Sequence, residues 1–317
     1  MNDPIIEVQQ AVKHFGGVPA LDGLTLSIPA GGIYGLLGRN GAGKTTLIRI
    51  LATLLRLDAG RASIAGHDVT TDARAVRQRI GLAGQFTAVD GHLTGRENVV
   101  QFGRLSGLSH RAAKARTDDL LARLGLNVAA DRLVRTYSGG MRRRVDLAAS
   151  LIGRPRVLFL DEPTTGIDPA SRREVWQLIR DLTAEATTVL LTTQYLDEAD
   201  HLADHLAVID HGRLITEGTP TDLKDRIGTA VIDVQVSTHQ CATALAALET
   251  LAPRYDHGRD RMSIAVRDGP ETLQDVLRRL AAAEITPTDV ALHRPTLDDV
   301  FLALTRQADR CTAGTMP

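Results

Sequence analysis

The sequence predicts an α/β protein, with an open sheet in a large N-terminal part and a second, smaller α/β domain after it. Two apolar runs, Ile33–Leu37 and Val157–Leu160, are short enough for buried strands, and each leads into residues that can carry chemistry. Towards the C-terminus the hydrophobic pattern predicts strands that alternate with helices. The predicted domains are 1–228 and 229–310, followed by a tail at 311–317.

The composition limits what such a protein can do. Its 317 residues suffice for one large and one small domain, and a hydrophobic content of 43% supports a packed core. A formal net charge of -1 argues against a general nucleic-acid binder, so no nucleic-acid partner is expected. The N-terminus lacks a signal pattern, and no apolar run approaches the ~20 residues of a membrane helix. With two isolated cysteines, Cys241 and Cys311, the chain is expected to be soluble in a reducing cytosol.

A glycine-rich loop follows the first buried run. Residues 38–46 read GRNGAGKTT, which fits the phosphate-binding pattern G-x-x-x-x-G-K-[ST]. Glycines at these positions let successive backbone N–H groups point at one anion. Lys44 is predicted to contact the β- and γ-phosphates, and the Thr45 hydroxyl to bind Mg²⁺. Residues Thr46–Leu55 favour a helix, so the phosphates would lie at a helix N-terminus.

Short strands and turns surround this loop. Strands are predicted over Ile5–Val12 and Leu24–Ile28, with a turn at Gly16-Gly17. Phe15, just before that turn, either stacks on a nucleotide base or belongs to the core, and the pattern leaves both open. The next predicted segments are a strand at Ala62–Ala65, a helix at Asp72–Arg79 and a strand at Ile80–Ala83 that leads into Gln85.

A charged, helical stretch follows. Between residues 92 and 126 the leucines Leu120, Leu121 and Leu124 recur at helix spacing, which indicates an inserted helical subdomain at about 86–155.

A second pair of glycines marks another helix start. Ser138 is a natural N-cap for a helix over Met141–Ile152, and the two glycines after it leave N–H groups that can bind an anion. Arg142, Arg143 and Arg144 follow directly. We expect these arginines to form a solvated face rather than to bind phosphate.

The second buried run ends in two carboxylates. Asp161 and Glu162 lie where an open α/β sheet places its chemistry, at the carboxyl end of a strand. Because successive strand residues face opposite ways, the two side chains are predicted to have different roles. Asp161 is predicted to hold Mg²⁺ through water. Glu162 is predicted to be the general base that activates the attacking water.

A histidine pair further along has two possible uses. His201 and His205 have i, i+4 spacing in a segment that also contains Asp197 and Asp204. That spacing suits two zinc ligands or a polar helix face. Because no third and fourth ligand is evident nearby, we expect the polar helix face. The segments predicted before it are a turn at Thr164–Pro169, a helix at Ala170–Leu182 and a strand at Thr187–Thr192.

The C-terminal segment reads as a small α/β domain. A last helix opens with Thr296 and Asp299, and its apolar stripe is Leu297, Val300, Phe301 and Leu304. We expect that stripe to pack on the domain itself, and docking to a partner is the alternative. The elements predicted before it are strands at Val231–Val236, Met262–Val266 and Asp289–Leu292 and helices at Cys241–Leu251 and Thr272–Ala283.

Together these motifs resemble the nucleotide-binding subunit of an ABC transporter, over about residues 5–228. The resemblance implies a P-loop ABC-type domain with a RecA-like core, an antiparallel β subdomain and the helical subdomain. Residues 138–144 (SGGMRRR) and 294–304 (RPTLDDVFLAL) are similar to a narrower family. These are the daunorubicin/doxorubicin-resistance ATP-binding subunits, found with antibiotic and complex-lipid exporters of actinobacteria. The motif positions that carry the resemblance are Phe15 (A-loop), Walker A, Gln85 (Q-loop), Ser138–Met141 (signature), Walker B with Glu162, and Asp168 (D-loop).

The resemblance implies roles for individual residues. Glu162 and Gln194 would be catalytic, and Thr45, Gln85 and Asp161 would hold Mg²⁺. The nucleotide ATP would contact Phe15, Gly38, Arg39, Asn40, Gly41, Ala42, Gly43, Lys44, Thr45, Thr46, Gln85, Ser138, Gly139, Gly140, Asp161 and Asp168.

The resemblance also implies partners and a location. Two copies would close head to tail as a homodimer around ATP, with the Walker loop of one facing the signature of the other. The Gln85 region would pass the motion to a separate integral-membrane permease. The chain would therefore sit at the cytoplasmic face of the membrane and power efflux of a hydrophobic drug or complex lipid.

Two residues depart from the family pattern. Met141 replaces the usual Gln, which is tolerable because Ser138 and backbone N–H groups make the phosphate contacts. Gln194 replaces the usual switch His, and an amide cannot exchange a proton near neutral pH as imidazole can. We therefore expect Gln194 to position the γ-phosphate and leave the role of base to Glu162.

Two other classes of protein remain as alternatives. A soluble ABC-type ATPase acting in translation or repair would have no membrane partner. One cassette instead of two, no basic arm and a net charge of -1 argue against it. A cytosolic drug-sequestering protein would need an aromatic-lined pocket, and an aromatic content of 3% argues against that.

Overall fold

The computed structural model describes residues 4–85, 87–183, 187–227, 230–256, 261–266, 269–293 and 296–297. The chain divides into two compact units, 1–220 and 221–317. This division falls at the start of the helix Pro220–Ile227, ahead of the boundary at 228 expected from sequence. The predicted tail 311–317 and the stripe residues Val300, Phe301 and Leu304 lie outside the described residues.

The first unit alternates strands and helices. Its strands are β1 (Ile6–Phe15), β2 (Val18–Ile28), β3 (Ile33–Leu37), β4 (Ala59–Ile64), β5 (His67–Asp68), β6 (Ile80–Ala83), β7 (Val157–Asp161), β8 (Thr188–Thr193), β9 (His205–Asp210) and β10 (Arg213–Gly218). Its helices are α1 (Lys44–Leu51), α2 (Ala73–Arg77), α3 (Gly95–Leu105), α4 (His110–Arg123), α5 (Gly139–Leu151), α6 (Pro169–Thr183) and α7 (Leu196–Leu202), and α8 (Pro220–Ile227) begins at the division.

The central sheet has the order β10-β9-β3-β8-β7-β6. All pairs from β9 to β6 are parallel, and β10 pairs antiparallel at the edge. Every residue of β3, β7 and β8 is buried, which explains why two of these strands read as continuous apolar runs. Because the three strands are parallel neighbours, their carboxyl ends meet at one edge. That edge carries the phosphate-binding loop, Asp161 and Thr193.

A second sheet, with the order β2-β1-β4-β5, is antiparallel. β1 and β2 are longer than the strands predicted at Ile5–Val12 and Leu24–Ile28. The pairing of β1 with β2 shifts register between Val8 and Ala11, and Gln10 there has a φ of 48°. Such bulges interrupt the period-2 pattern, so the alternation alone underestimates strand length.

The helical layer consists of α3, α4 and α5. α3 starts with a capping box between Thr94 and Glu97, and α4 starts at the N-cap Ser109. The predicted leucine repeat packs as expected: Leu120, Leu121 and Leu124 lie in one apolar cluster with residues of α5 and β7. This packing fixes α5 against the central sheet.

The histidine pair does not share a helix face. α7 contains His201 but ends at Leu202, and His205 opens β9. The expected polar helix face is therefore wrong, because the backbone becomes extended at Ala203 and β9 then pairs with β3 in the central sheet. The His201 ring instead lies 4.8 Å from the Trp176 ring. Among the described residues, no group of three His, Cys, Asp or Glu side chains is placed to hold a metal.

The described part of the second unit contains α8 and, after it, an antiparallel sheet with the helices α9 and α10. Its elements after α8 are β11 (Ala230–Gln235), α9 (Cys241–Ala247), β12 (Arg254–Asp256), β13 (Arg261–Val266), α10 (Gly269–Ala282) and β14 (Asp289–His293). The sheet order is β12-β13-β11-β14. The short strand β12 was not predicted, and with it the element order becomes βαββαβ, as in ferredoxin-like folds. Within the described part of both units, none of the helices has the length and apolar character needed to cross a membrane.

Candidate active site

The phosphate-binding loop joins β3 to α1, as its motif requires. Gly43, directly before α1, has a φ of 107°, and a Cβ there would collide with the Ala20 carbonyl oxygen. Only glycine fits this position without strain. Because Gly43 has no side chain to cap the helix, the first N–H groups of α1 are available to an anion.

Lys44 is folded over this loop. Its Nζ donates to the carbonyl oxygens of Gly38 at 2.8 Å and Arg39 at 3.2 Å, and the residue is only 5% exposed. Burial lowers the pKa of Lys44, while the negative charges of Glu162 and Asp161 oppose that shift. The ammonium is therefore bonded to the loop backbone and is influenced by the charges of two carboxylates.

Asp161 is the last residue of β7 and lies beside α1. Its Oδ1 accepts hydrogen bonds from Thr45 Oγ1 at 3.1 Å and from Thr192 Oγ1 at 2.6 Å. Asp161 pairs with Thr192 in the β7–β8 register. The sequence prediction missed Thr192, because only strand pairing places it opposite Asp161. Thr45 and Asp161 together present the hard oxygen ligands that a small divalent cation prefers.

Glu162 leaves the strand through a left-handed turn with a φ of 50°. Its N–H is held by the Thr192 carbonyl and hydroxyl oxygens, each at 3.1 Å. Its Oε2 accepts hydrogen bonds from Thr165 Oγ1 at 3.3 Å and Gln85 Nε2 at 3.4 Å. Asp161 and Glu162 have different surroundings, as predicted. The cause is the turn at Glu162 and not only the alternation of side chains along a strand.

A cleft of about 390 Å³ collects the predicted residues from distant parts of the chain. Gln85, Glu162 and Gln194 lie in it opposite the phosphate-binding loop. Thr165, which the sequence prediction missed, lines it as well. The lining from the loop, α1 and β2 is Ala20, Asn40, Gly41, Gly43, Lys44, Thr45 and Thr46.

Phe15 is at the end of β1 and lies outside this lining. It is 51% exposed, and Lys13 Nζ lies 5.8 Å from its ring centroid. Of the two alternatives for Phe15, the core is therefore excluded, and its aromatic face remains accessible.

The signature residues do not line the phosphate cleft of their own chain. Ser138 caps α5 by accepting from the Met141 N–H at 3.2 Å. Gly139 lines a neighbouring cavity of about 240 Å³, which shares Gln85, Glu162 and Thr165 with the cleft. Asp168 accepts from the N–H groups of Ala170 and Ser171 at the start of α6. These residues thus lie at helix starts, apart from the loop at 38–46.

The three arginines after the signature have three different environments. Arg142 is exposed, and Arg144 is half-buried with Nη2 3.5 Å from Glu174 Oε2. Arg143 is only 4% exposed and forms an ion pair with Asp146 at 3.1 Å. The expected solvated face is therefore wrong for Arg143. Consecutive helix residues are rotated by about 100°, so the middle arginine of this run points into the protein.

Glu198, on the helix after Gln194, is another buried ionisable side chain, and sequence analysis missed it. Its Oε1 accepts from Thr164 Oγ1 at 2.7 Å and from Trp176 Nε1 at 3.0 Å. Burial raises the pKa of this carboxyl group, and the hydrogen bonds only partly oppose that. Glu198 therefore connects α7 both to the turn after Glu162 and to α6.

Comparison with known protein families identifies two segments. Residues 21–165 match the family described as ABC transporter. Residues 218–305 match the C-terminal domain of ATP-binding proteins like DrrA1-3.

Individual proteins are similar over nearly the full length. The daunorubicin resistance ATP-binding protein DrrA3 of Streptomyces coeruleorubidus is 54% identical over 96% of this chain and 97% of its own. The Nod factor export ATP-binding protein I of Ralstonia nicotianae is 40% identical over 95% of this chain and 94% of its own. Among solved structures, cbiO1 from Clostridium perfringens, part of the ABC transporter complex cbiONQ, has a TM-score of 0.65 at 27% identity. The superposition covers 70% of this chain and 91% of the cbiO1 chain.

Proposed function

This chain belongs to the daunorubicin/doxorubicin-resistance family of ABC transporter ATP-binding proteins, and we propose that Glu162 is the base with which it hydrolyses ATP. It is the ATP-binding and ATP-hydrolysing subunit of an exporter. The observation that carries the residue assignment is the meeting of Lys44, Glu162 and Gln194 around one cleft beside the phosphate-binding loop.

The ATP phosphates bind at the start of α1. Lys44 places a positive charge on the β- and γ-phosphates, and exchanges its carbonyl contacts at Gly38 and Arg39 for phosphate oxygens. Mg²⁺ fits the oxygens of Thr45 and Asp161, which already share a hydrogen bond, and Gln85 offers a third oxygen from the cleft wall. When bound, this ion neutralises charge on the phosphates.

Glu162 acts on the attacking water. Its backbone is held at the end of β7 by Thr192, and its carboxylate contacts the cleft beside Gln85. A carboxylate so placed accepts the proton as the water oxygen attacks phosphorus. Gln85 and Gln194 orient the reacting groups through their amides, which both donate and accept hydrogen bonds. Phe15, with its exposed ring, stacks on the nucleotide base.

A second copy of the chain completes the site. Ser138, Gly139, Gly140 and Asp168 lie outside the phosphate cleft of their own chain, yet the N–H groups at the start of α5 favour an anion. In a head-to-tail homodimer these residues contact the ATP held by the loop of the other copy. Hydrolysis then cleaves the γ-phosphate from the ATP that joins the two copies, and the dimer reopens.

The transport path lies in a separate integral-membrane permease. The chain binds it from the cytoplasmic face of the membrane as a peripheral subunit. A relative is named for daunorubicin resistance and another for Nod factor export, which supports a hydrophobic drug or antibiotic or a complex lipid as substrate. The alternative, a soluble ATPase acting in translation or repair, is not favoured, because these relatives align along nearly the whole chain.

ATP-dependent drug uptake tests this proposal. The chain is co-expressed with its permease, and ATP and daunorubicin are added outside inverted membrane vesicles, whose outer surface is the cytoplasmic face of the membrane. We expect accumulation that needs ATP and is absent with Glu162→Gln. ATPase activity without any drug accumulation would favour a lipid substrate over a drug. Transfer of labelled lipid in the same vesicles then tests that substrate. A chain that stays soluble and fails to bind the permease would contradict the exporter assembly.

A further inference from the structure

The buried ion pair of α5, Arg143 and Asp146, has no part in the chemistry proposed above. The two side chains are 5% and 3% exposed, and Arg143 Nη1 lies 3.1 Å from Asp146 Oδ2. Both also bond the backbone of the segment that contains Gln85. Arg143 Nη1 donates to the Gly84 carbonyl oxygen at 2.7 Å, and Asp146 Oδ1 accepts from the Ala88 N–H at 3.0 Å. One side-chain pair thus holds the chain on both sides of Gln85.

Stability alone does not explain this pair. Removing two charges from water costs more than their attraction commonly returns, and an apolar pair of similar volume is often as stable. Within the part of the chain that the structure describes, Arg143 Nε and Nη2 have no hydrogen-bond partner, which adds to that cost. Two apolar side chains could fill the same space but could not bond Gly84 and Ala88. The backbone bonds are therefore what the charged pair adds.

The pair also links two cavities. Arg143 lines the cavity of about 240 Å³ that also contains Gln85, Gly139 and Glu162. Asp146 lines another cavity, of about 680 Å³, together with Ala88. Gln85 Nε2 contacts Glu162 Oε2 at 3.4 Å. A continuous set of contacts therefore runs from Asp146 through Arg143 and the backbone of Gly84 to the carboxylate of Glu162.

We propose that Arg143 and Asp146 are positioning residues that hold Gln85 in register with Glu162, so that the signature helix and the Gln85 segment move as one body. This inference rests on the proposed roles of Gln85 and Glu162. The pair acts through the backbone, and neither side chain contacts the reacting phosphate.

The test is the double variant Arg143→Met/Asp146→Leu, which removes both backbone bonds and leaves no unpaired buried charge. We expect kcat for ATP hydrolysis by the full-chain complex with its permease to fall by on the order of 10- to 100-fold, because small misplacements of catalytic groups have effects of that size. KM for ATP should stay within about twofold, because the phosphate-binding loop is untouched. The melting temperature should fall only modestly, because the loss of two backbone hydrogen bonds is partly offset by the removal of two buried charges.

A matched control is Arg116→Met/Asp119→Leu, an i, i+3 ion pair with an exposed carboxylate on α4. This variant should keep the wild-type kcat. Wild-type kcat in the folded Arg143/Asp146 double variant, measured below its melting temperature, would overturn the inference. Glu162→Gln is measured in parallel: a dead Glu162→Gln beside a fully active double variant contradicts only the positioning role. An active Glu162→Gln contradicts the proposed base itself.

Hydrogen exchange of the wild-type chain tests the inference even where the double variant does not fold. The Ala88 amide is bonded to a buried carboxylate, so it should exchange as slowly as the amides of α5. Exchange of Ala88 at the rate of a free loop amide would show that Asp146 does not hold this segment, and would overturn the proposal.

Discussion

The Thr192 hydroxyl donates a 2.6 Å hydrogen bond to Asp161 Oδ1, across the paired ends of β7 and β8. The same hydroxyl accepts from the Glu162 N–H at 3.1 Å. One buried side chain therefore contacts both the carboxylate of Asp161, the proposed metal ligand, and the backbone of Glu162, the proposed base.

Replacing Thr192 with Val should lower ATP turnover at nearly constant volume. The change removes a hydrogen bond to a charged group, worth about 1.5–3 kcal/mol, or roughly a 10- to 100-fold lower rate where it acts in the transition state. The control is Thr188→Val on the same strand, whose hydroxyl accepts from the Gly31 N–H far from the cleft. Both variants should lose stability, but only Thr192→Val should lose turnover in a steady-state ATPase assay. Equal turnover in the two variants would show that the Thr192 hydroxyl has no role in ATP hydrolysis.

Glu162→Gln should bind ATP and scarcely hydrolyse it. Glutamine keeps the shape and the hydrogen bonds to Thr165 and Gln85 but cannot accept a proton. Turnover should fall by roughly 10²- to 10⁴-fold, and the variant should accumulate as an ATP-bound dimer in size-exclusion chromatography. Near-normal steady-state ATPase in the purified complex would refute the assignment of Glu162 as the base.

Lys44→Ala and Ser138→Arg should separate binding from closure. Lys44→Ala removes a charge from the phosphates of the bound ground state, so nucleotide affinity and turnover should both fall. Ser138 lies outside the cleft of its own chain, so Ser138→Arg should leave the affinity of a single copy intact and abolish hydrolysis by blocking the contact between copies. Nucleotide titrations of dilute protein measure the affinities. A parallel fall of affinity in both variants would contradict this separation.

Gln194→Ala should lower turnover, because it removes one hydrogen bond to a charged phosphate, worth roughly 1.5–3 kcal/mol. Gln194→His should remain active, with no new group near the imidazole pKa in its pH profile, since the proposed base is Glu162. ATPase rate against pH, measured for wild type and both variants in the assembled complex, checks this. Unchanged activity in Gln194→Ala would exclude the side chain from the cycle.

The buried Glu198 predicts a pH dependence of stability. Burial raises its pKa, so the folded chain keeps this proton at a pH where the unfolded chain has released it. Its contribution to stability is therefore complete below the unfolded pKa and is lost as pH rises through the folded one. Glu198→Gln cannot ionise and keeps an acceptor for Thr164 and Trp176. In urea unfolding, its free energy of unfolding relative to wild type should rise with pH.

Glu97 provides the control of opposite sign. Hydrogen bonds from the Thr94 N–H and hydroxyl lower its pKa, so its stabilising contribution is present above the unfolded pKa and is lost as pH falls. Glu97→Gln should therefore become less stable relative to wild type as pH rises. The same slope for both variants would contradict the raised pKa of Glu198.

Local spacing in the sequence predicted the chemistry that lies within a few consecutive residues. The loop from Gly38 to Thr45 needs a strand before it and a helix after it, and β3 and α1 supply both. The same holds for the N-cap at Ser138 and for the carboxylates at the end of β7. These features depend on neighbouring backbone geometry, so their residue order alone specifies them.

Only the tertiary structure decided which distant side chains support that chemistry. Thr192 faces Asp161 because β8 pairs with β7 in one register. That register cannot be read from the spacing of residues along the chain. Arg143 looked solvated in a run of three arginines, yet it faces inward because α5 packs against the sheet and the Gln85 segment. His205 opens a buried strand rather than continuing a helix, since β9 finds its partners in β3 and β10. The sequence determined the phosphate chemistry, which is local, and long-range strand pairing and burial decided how that chemistry is held in place.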